Sequence, residues 1–182
     1  MIRDVRRVTT TPGAEPPLTA DELLSWGRIT DDAERATADR LILVACDELQ
    51  RYTGIVLLPG TFLVSASYAS RVELPLSPVH SVDIVRTLDE YGTGTVVDVS
   101  GYGTLLSVSP ALLRMTGSYY GAGLEVLVSA GYADPKDVPE DVRQALLDVA
   151  LLHYQHRDDP ALLDLSRAYL GTLVSSFGIV QI

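Results

Sequence analysis

Lysine is nearly missing from this sequence of 182 residues: Lys136 stands alone, and 14 basic side chains in all face 24 acidic ones, for a net charge of −10. A chain that wraps nucleic acid needs many Lys and Arg to release phosphate counterions. The balance therefore argues against non-specific DNA binding. Cysteine is limited to Cys46, so no intramolecular disulfide can form and nothing points to an oxidising compartment. Long apolar runs are missing too. The longest, residues 41–46, falls far short of the roughly 20 residues that cross a bilayer. Arg3, Arg6 and Arg7 give the N-terminus positive charge, but no apolar stretch or small-residue cleavage site follows, so the chain reads as made in a cytoplasm.

What is present is a hydrophobic content of 47%. One domain of this length buries roughly 70% of its unfolded surface, enough for a single core with appendages. Residues 1–17 hold Pro12, Pro16, Pro17 and three consecutive threonines without apolar periodicity, and read as an extended arm. Thr19 and Glu22 form a capping box ahead of Leu23, Leu24 and Trp26, with Gly27 as the stop, which predicts a helix over 19–27. Asp31 and Glu34 repeat the start signal. A second helix over 31–53 follows, with Leu41, Val44, Ala45, Leu49 and Tyr52 at helical spacing and Gly54 just beyond.

Between about residues 60 and 132 the pattern turns β-branched and aromatic, punctuated by turn formers, and reads as short antiparallel strands with a hairpin loop over 89–94. Pro139, Glu140 and Asp141 open a helix over 139–156 whose apolar positions cover much of its circumference. A last helix is expected over 160–171. The predicted fold class is α+β: a small helical bundle, two N-terminal and two C-terminal helices, with an inserted antiparallel β region, all in one domain over 18–171. Residues 172–182 contain no charged side chain and are rich in Val, Ile and Phe. An uncharged, β-prone terminus is an edge-pairing hazard unless something covers it.

Signals for chemistry are weak. His153 and His156 stand three apart on a helix with Asp158 and Asp159 near, yet HExxH-type spacing is missing. Packing for His153 and a helix-end position for His156 explain them. Cys46, within Leu43, Val44 and Ala45, describes a small buried hydrophobe. Gly117, Gly121 and Gly123 lead into a strand and complete no phosphate-binding motif, and no GxSxG elbow is present. The carboxylate pairs Asp31/Asp32, Glu140/Asp141 and Asp158/Asp159 sit at predicted helix ends, where capping accounts for them. No catalytic residue, metal or cofactor is expected. Nine tyrosines against two phenylalanines offer large contact surfaces with a polar tip, a composition enriched at interfaces.

Four segments carry a resemblance. Residues 126–147 read VLVSAGYADPKDVPEDVRQALL and run on to LHYQHR at 152–157. Upstream lie LTADE at 18–22, YTG at 52–54 and LPLSPVHSV at 74–82. In this order they resemble the head-to-tail connector (adaptor) proteins of tailed bacteriophages and gene transfer agents, with coverage of about residues 18–170. The arm is longer than that family's short lead. The terminus ends in Ile182 where some relatives have basic residues.

The resemblance implies a virion structural protein that is not an enzyme. It implies a ring, commonly twelvefold, in the neck between head and tail, assembled in the host cytoplasm with no membrane involved. The ring would join the portal protein to a tail or stopper protein, and DNA would pass through its channel without specific binding. The apolar C-terminal segment would dock on the portal through Leu173, Val174, Phe177, Ile179, Val180 and Ile182. Two alternatives stand beside it: a stopper or tail-completion protein of the same particle, and a small cytosolic metal-dependent enzyme using His153 and His156.

Overall fold

The computed structural model describes residues 1–117, 119 and 121–156. These divide into two compact units, one of Met1–Ala14 with Pro59–Gly131 and one of Glu15–Leu58 with the described residues from Tyr132 to His156.

The first unit is built from strands. β1 (Ile2–Thr10), β2 (Gly60–Ser67), β4 (Val79–Leu88), β5 (Gly94–Val96) and β8 (Gly123–Ala130) form a five-stranded antiparallel sheet in the order β1-β2-β8-β4-β5. β3 (Arg71–Leu74), β6 (Tyr102–Leu105) and β7 (Ala111–Met115) form a second sheet in the order β3-β7-β6. Alternation fixes which face is buried. Along β2, Phe62, Val64 and Ala66 are buried, and directly opposite them on β8 stand Val128, Val126 and Leu124, equally buried. β4 adds Val85 and Thr87 across from Val126 and Leu124. Facing pairs of this kind are the unit of sheet stabilisation, because the side chains meet without further folding of the chain. In the second sheet Val72 and Leu74 face Leu113 and Ala111 in the same way. The β4–β5 connection is the expected hairpin loop. The Asp89 carboxylate accepts from the Tyr91 and Thr93 amides at 2.9 and 2.8 Å, and Gly92 takes a positive φ of 83°.

The N-terminal segment differs from expectation. Residues 2–10 are not a separate arm but a sheet strand, paired with β2 from Ile2↔Ala66 to Thr10↔Gly60. Two register shifts, between Ile2 and Asp4 and between Arg7 and Thr9, break its alternation. A bulge hides the period of two from the sequence. Gly60 is required at the end of this pairing, because a Cβ there would stand 2.3 Å from the Thr9 carbonyl oxygen. On the inner part of β1 the Arg7 guanidinium lies 5.4 Å from the centroid of the fully buried Phe62 ring.

The second unit holds α1 (Ala20–Trp26), α2 (Arg35–Thr53) and α3 (Glu140–Gln155), with a 3-10 turn at Asp32–Glu34 leading into α2. α2 buries Ala38, Ile42, Ala45, Cys46, Leu49 and Thr53, a stripe of three- and four-residue steps. Leu43 and Val44 are instead exposed, so the expected stripe through Leu41 and Val44 is rotated. Gly54 ends the helix in the left-handed region, φ 72°, and its amide donates to the Gln50 carbonyl. α3 buries Val142, Ala145, Leu146, Leu147, Val149 and Ala150, more than one neighbour covers. The helix expected at 160–171 and the segment 172–182 lie outside the described residues.

Candidate interaction surfaces

α1 begins as its sequence dictates. Thr19 Oγ1 accepts from the Glu22 amide, and Glu22 Oε2 accepts from the Thr19 amide and hydroxyl at 2.8 and 2.9 Å. The other Glu22 oxygen, Oε1, accepts from Arg143 Nη2 at 2.8 Å. Arg143 also donates to the Pro17 carbonyl and stands 3.6 Å from Glu140. Burial would raise the Glu22 pKa, but the Thr19 amide and hydroxyl and the Arg143 charge outweigh it and hold the carboxyl below its ordinary value. Asp21, one residue earlier, is lowered by its contact with Arg35 at 2.5 Å.

α1 ends less simply. Gly27 is in the right-handed region, and the left-handed position belongs to Arg28, φ 52°. The Arg28 and Ile29 amides donate to the Ser25 and Leu24 carbonyls, the paired closure usually made around a glycine. Gly27 is instead needed for space: a Cβ there would meet Ile29 Cδ1 and Leu151 Cδ1 at 2.9 Å. Holding Arg28 left-handed costs about 1–2 kcal/mol. Around these residues opens a cleft of about 780 Å³, lined by Leu18, Leu147 and the half-exposed Trp26, with Arg28, Asp21 and Glu140 among its charged residues.

The expected chemical residues fall into structural roles. His153 Nε2 lies 2.5 Å from Glu48 Oε2, both side chains nearly buried, so it ties α3 to α2. His156 caps α3, its amide donating to the Leu152 carbonyl. Cys46 is buried. Asp31 caps the 3-10 turn through the Ala33 amide, and Asp141 accepts from the Val142 amide. Among the described residues no group of three or more His, Cys, Asp or Glu is placed to hold a metal ion, and no helix is long and apolar enough to cross a membrane. Asp158 and Asp159, and the six residues expected to bind a partner (Leu173, Val174, Phe177, Ile179, Val180 and Ile182), lie outside the described residues.

The segments that carry the sequence resemblance meet one another. Glu22 of LTADE holds Arg143 of the RQA helix, 121 residues away. His80 of LPLSPVHSV donates from Nε2 to the Gly131 carbonyl of SAGY, and the Gly131 amide returns a bond to the Pro78 carbonyl at 2.9 Å. Tyr132 donates its amide to Val56, two residues past YTG. These motifs are anchors of the fold.

No protein-family model and no curated protein matches the chain. Solved structures do. A chain of the neck of an empty gene transfer agent (GTA) particle, computed with C6 symmetry, matches at 23% identity and TM-score 0.68 over 90% of this chain and 95% of that one. A chain of the virion of a native GTA particle matches at 23% identity and TM-score 0.68 over 90% and 94%. A chain of the neck of a native GTA particle, computed with C12 symmetry, matches at 21% and 0.63 over 90% and 94%. The fold is shared with chains of GTA particles. It is a mixed α+β fold with antiparallel sheets, as the sequence patterning predicts.

Sequence reasoning missed the surfaces that this fold leaves open. Among the exposed large hydrophobics of the strand unit are Val8 on β1, Tyr91, Val96 and Val99 around β5, and Leu105 and Val108 at and after β6. Isolated exposed apolar side chains need no explanation; these stand on or next to the outer strands of the two sheets. Their signal in the sequence is faint because each sits among threonines, glycines and charges typical of loops.

Proposed function

We propose that the protein is a non-enzymatic structural component of a phage-like particle, a head-to-tail adaptor that forms a ring in the neck. The observation that carries this reading is the fold match over nearly the full length of both chains to a GTA neck structure. The symmetries of the matched necks, C6 and C12, support a ring, for which we infer twelve copies in the particle. The ring joins the portal protein to the tail or stopper protein, and DNA passes through its channel. A net charge of −10 suits that path, because it offers phosphates few counterion-releasing contacts.

The portal contact is assigned to residues 172–182, through Leu173, Val174, Phe177, Ile179, Val180 and Ile182. At about 25 cal/mol per Å² of apolar area, those side chains gain several kcal/mol, less than ordering the segment costs at about 1–2 kcal/mol per residue. Affinity therefore needs backbone pairing with the partner as well. A chain ending at Gly171 is expected to fold and melt like the parent while losing co-purification with the portal. Portal binding at parental affinity by the truncated chain overturns the assignment. Co-purification with tail components and never with the portal replaces it with the stopper reading.

A further inference from the structure

Both edges of the five-stranded sheet are open among the described residues: β1 and β5 each pair on one side. β1 is nine residues long, and an edge of that length presents a row of unpaired backbone N–H and C=O groups. The two edges carry opposite charge. Among the exposed side chains of residues 1–10, Arg3 and Arg6 stand against Asp4, two positive minus one negative, or +1, in a chain whose total is −10. Residues 89–98 hold Asp89, Glu90 and Asp98 and no basic residue, or −3.

Arg3, Arg6, Asp89, Glu90 and Asp98 are all exposed, and among the described residues none of them makes an ion pair. The carboxylates are nevertheless held in place, Asp89 by the loop amides and Asp98 by the Ser100 amide and hydroxyl at 2.9 and 2.7 Å. Exposed apolar side chains lie beside both sets: Val8 on the basic edge, Tyr91, Val96 and Val99 on the acidic one.

Two different, complementary edges on one molecule are what a heterologous contact requires, and such a contact repeated by rotation closes a ring. We propose that the β1 edge of one copy docks on the β5 edge of the next, so that Arg3 and Arg6 meet Asp89 and Glu90 of the neighbouring copy while Val8 packs near Val96. This rests on the ring reading above and names its subunit interface. In an all-antiparallel sheet of five strands, β1 and β5 run in the same direction. A rotated neighbour therefore adds a parallel pair, limited by the three residues of β5. So short a ladder is weak, and the charges and exposed valines supply the specificity.

The test is cross-linking in particles assembled with the full-length chain. Cys46 is buried, which keeps the background low. With Val8→Cys and Val96→Cys together, a short bismaleimide is expected to produce a ladder of covalent oligomers; with either change alone it yields monomer. Arg6→Glu is expected to reduce the ladder at least tenfold, and Glu90→Arg in the same chain to restore most of it. A chain present in the neck as a ring but giving no ladder overturns this interface and leaves the ring reading intact. A chain absent from the particle overturns the adaptor reading itself. An undiminished ladder with Arg6→Glu removes the charge pairing from the proposal.

Discussion

In the helical unit the polar groups answer one another: Thr19 caps Glu22, Glu22 holds Arg143, Arg35 holds Asp21 and Glu48 meets His153. The strand unit has a core of the same quality, with Phe62, Val64, Val126 and Val128 fully buried, but its outer strands end in exposed arginines, carboxylates and valines. The difference teaches where to look for partners. A unit whose charges are internally paired gains little from a neighbour, whereas one whose edge charges are unpaired pays less desolvation for new contacts than it recovers in steering and specificity.

The largest expected effect tests the helical side of this comparison. Leu146 is completely buried on α3, so Leu146→Asp places a charge where nothing pairs with it. A loss of at least about 5 kcal/mol is expected, enough to unfold a domain of ordinary stability. Circular dichroism checks it: a variant that keeps the parent's melting curve would deny α3 its central place.

On the strand side, Phe62→Ala removes a fully buried ring from between Val128 and the Arg7 guanidinium. The expected cost is about 3–5 kcal/mol, read from the denaturant midpoint. Changes on the same sheet's edge, Arg6→Ala or Val96→Thr, are expected to move that midpoint by less than about 0.5 kcal/mol. Comparable losses from core and edge would mean that the edges belong to the fold and are not held open for a partner.

Legibility in the sequence follows the range of the interaction. The start of α1, the end of α2 and the hairpin at Asp89 were readable because each is set by residues within four positions. β1 was not, since its bulges break the alternation and its partner β2 begins 50 residues after β1 ends. Gly27 reads as the stop of α1, but the left-handed position belongs to Arg28, and packing against Leu151 is what claims the glycine. The Glu22–Arg143 contact joins residues far apart in the chain, so only the order of their motifs, not their meeting, could be read.

His153 offers a smaller effect within the helical unit. Its ring and the Glu48 carboxylate are close to buried, so His153→Ala removes a polar contact between α2 and α3. About 1–3 kcal/mol should be lost. Glu48→Gln, which keeps a hydrogen-bond acceptor and the shape, should lose less. Equal losses for the two variants, measured by urea unfolding, would show that the Glu48 charge rather than the lost imidazole volume sets the cost.

The smallest effect comes from the capping box, and it carries a pH signature. Thr19→Ala removes the side-chain half of the cap, at an expected cost of about 1 kcal/mol. Glu22 is held below its ordinary value of 4.5 by Thr19 and Arg143 despite the opposing effect of burial. A carboxyl lowered by folding stabilises the folded state above its unfolded pKa, and that contribution fades as pH falls from 4.5 through the lower folded value. Because the Glu22 side chain is partly exposed, solvent screening keeps the contribution small. The parent should thus lose part of its margin over Glu22→Gln as pH drops through this window, while the two differ by a constant amount at neutral pH. In Thr19→Ala the same margin should be smaller, sustained by the residue-19 backbone amide and by Arg143. Melting temperatures of the three proteins across the acid range decide the point: a margin that stays flat below pH 4.5 would mean that the Glu22 charge contributes nothing to closing the helical unit on itself.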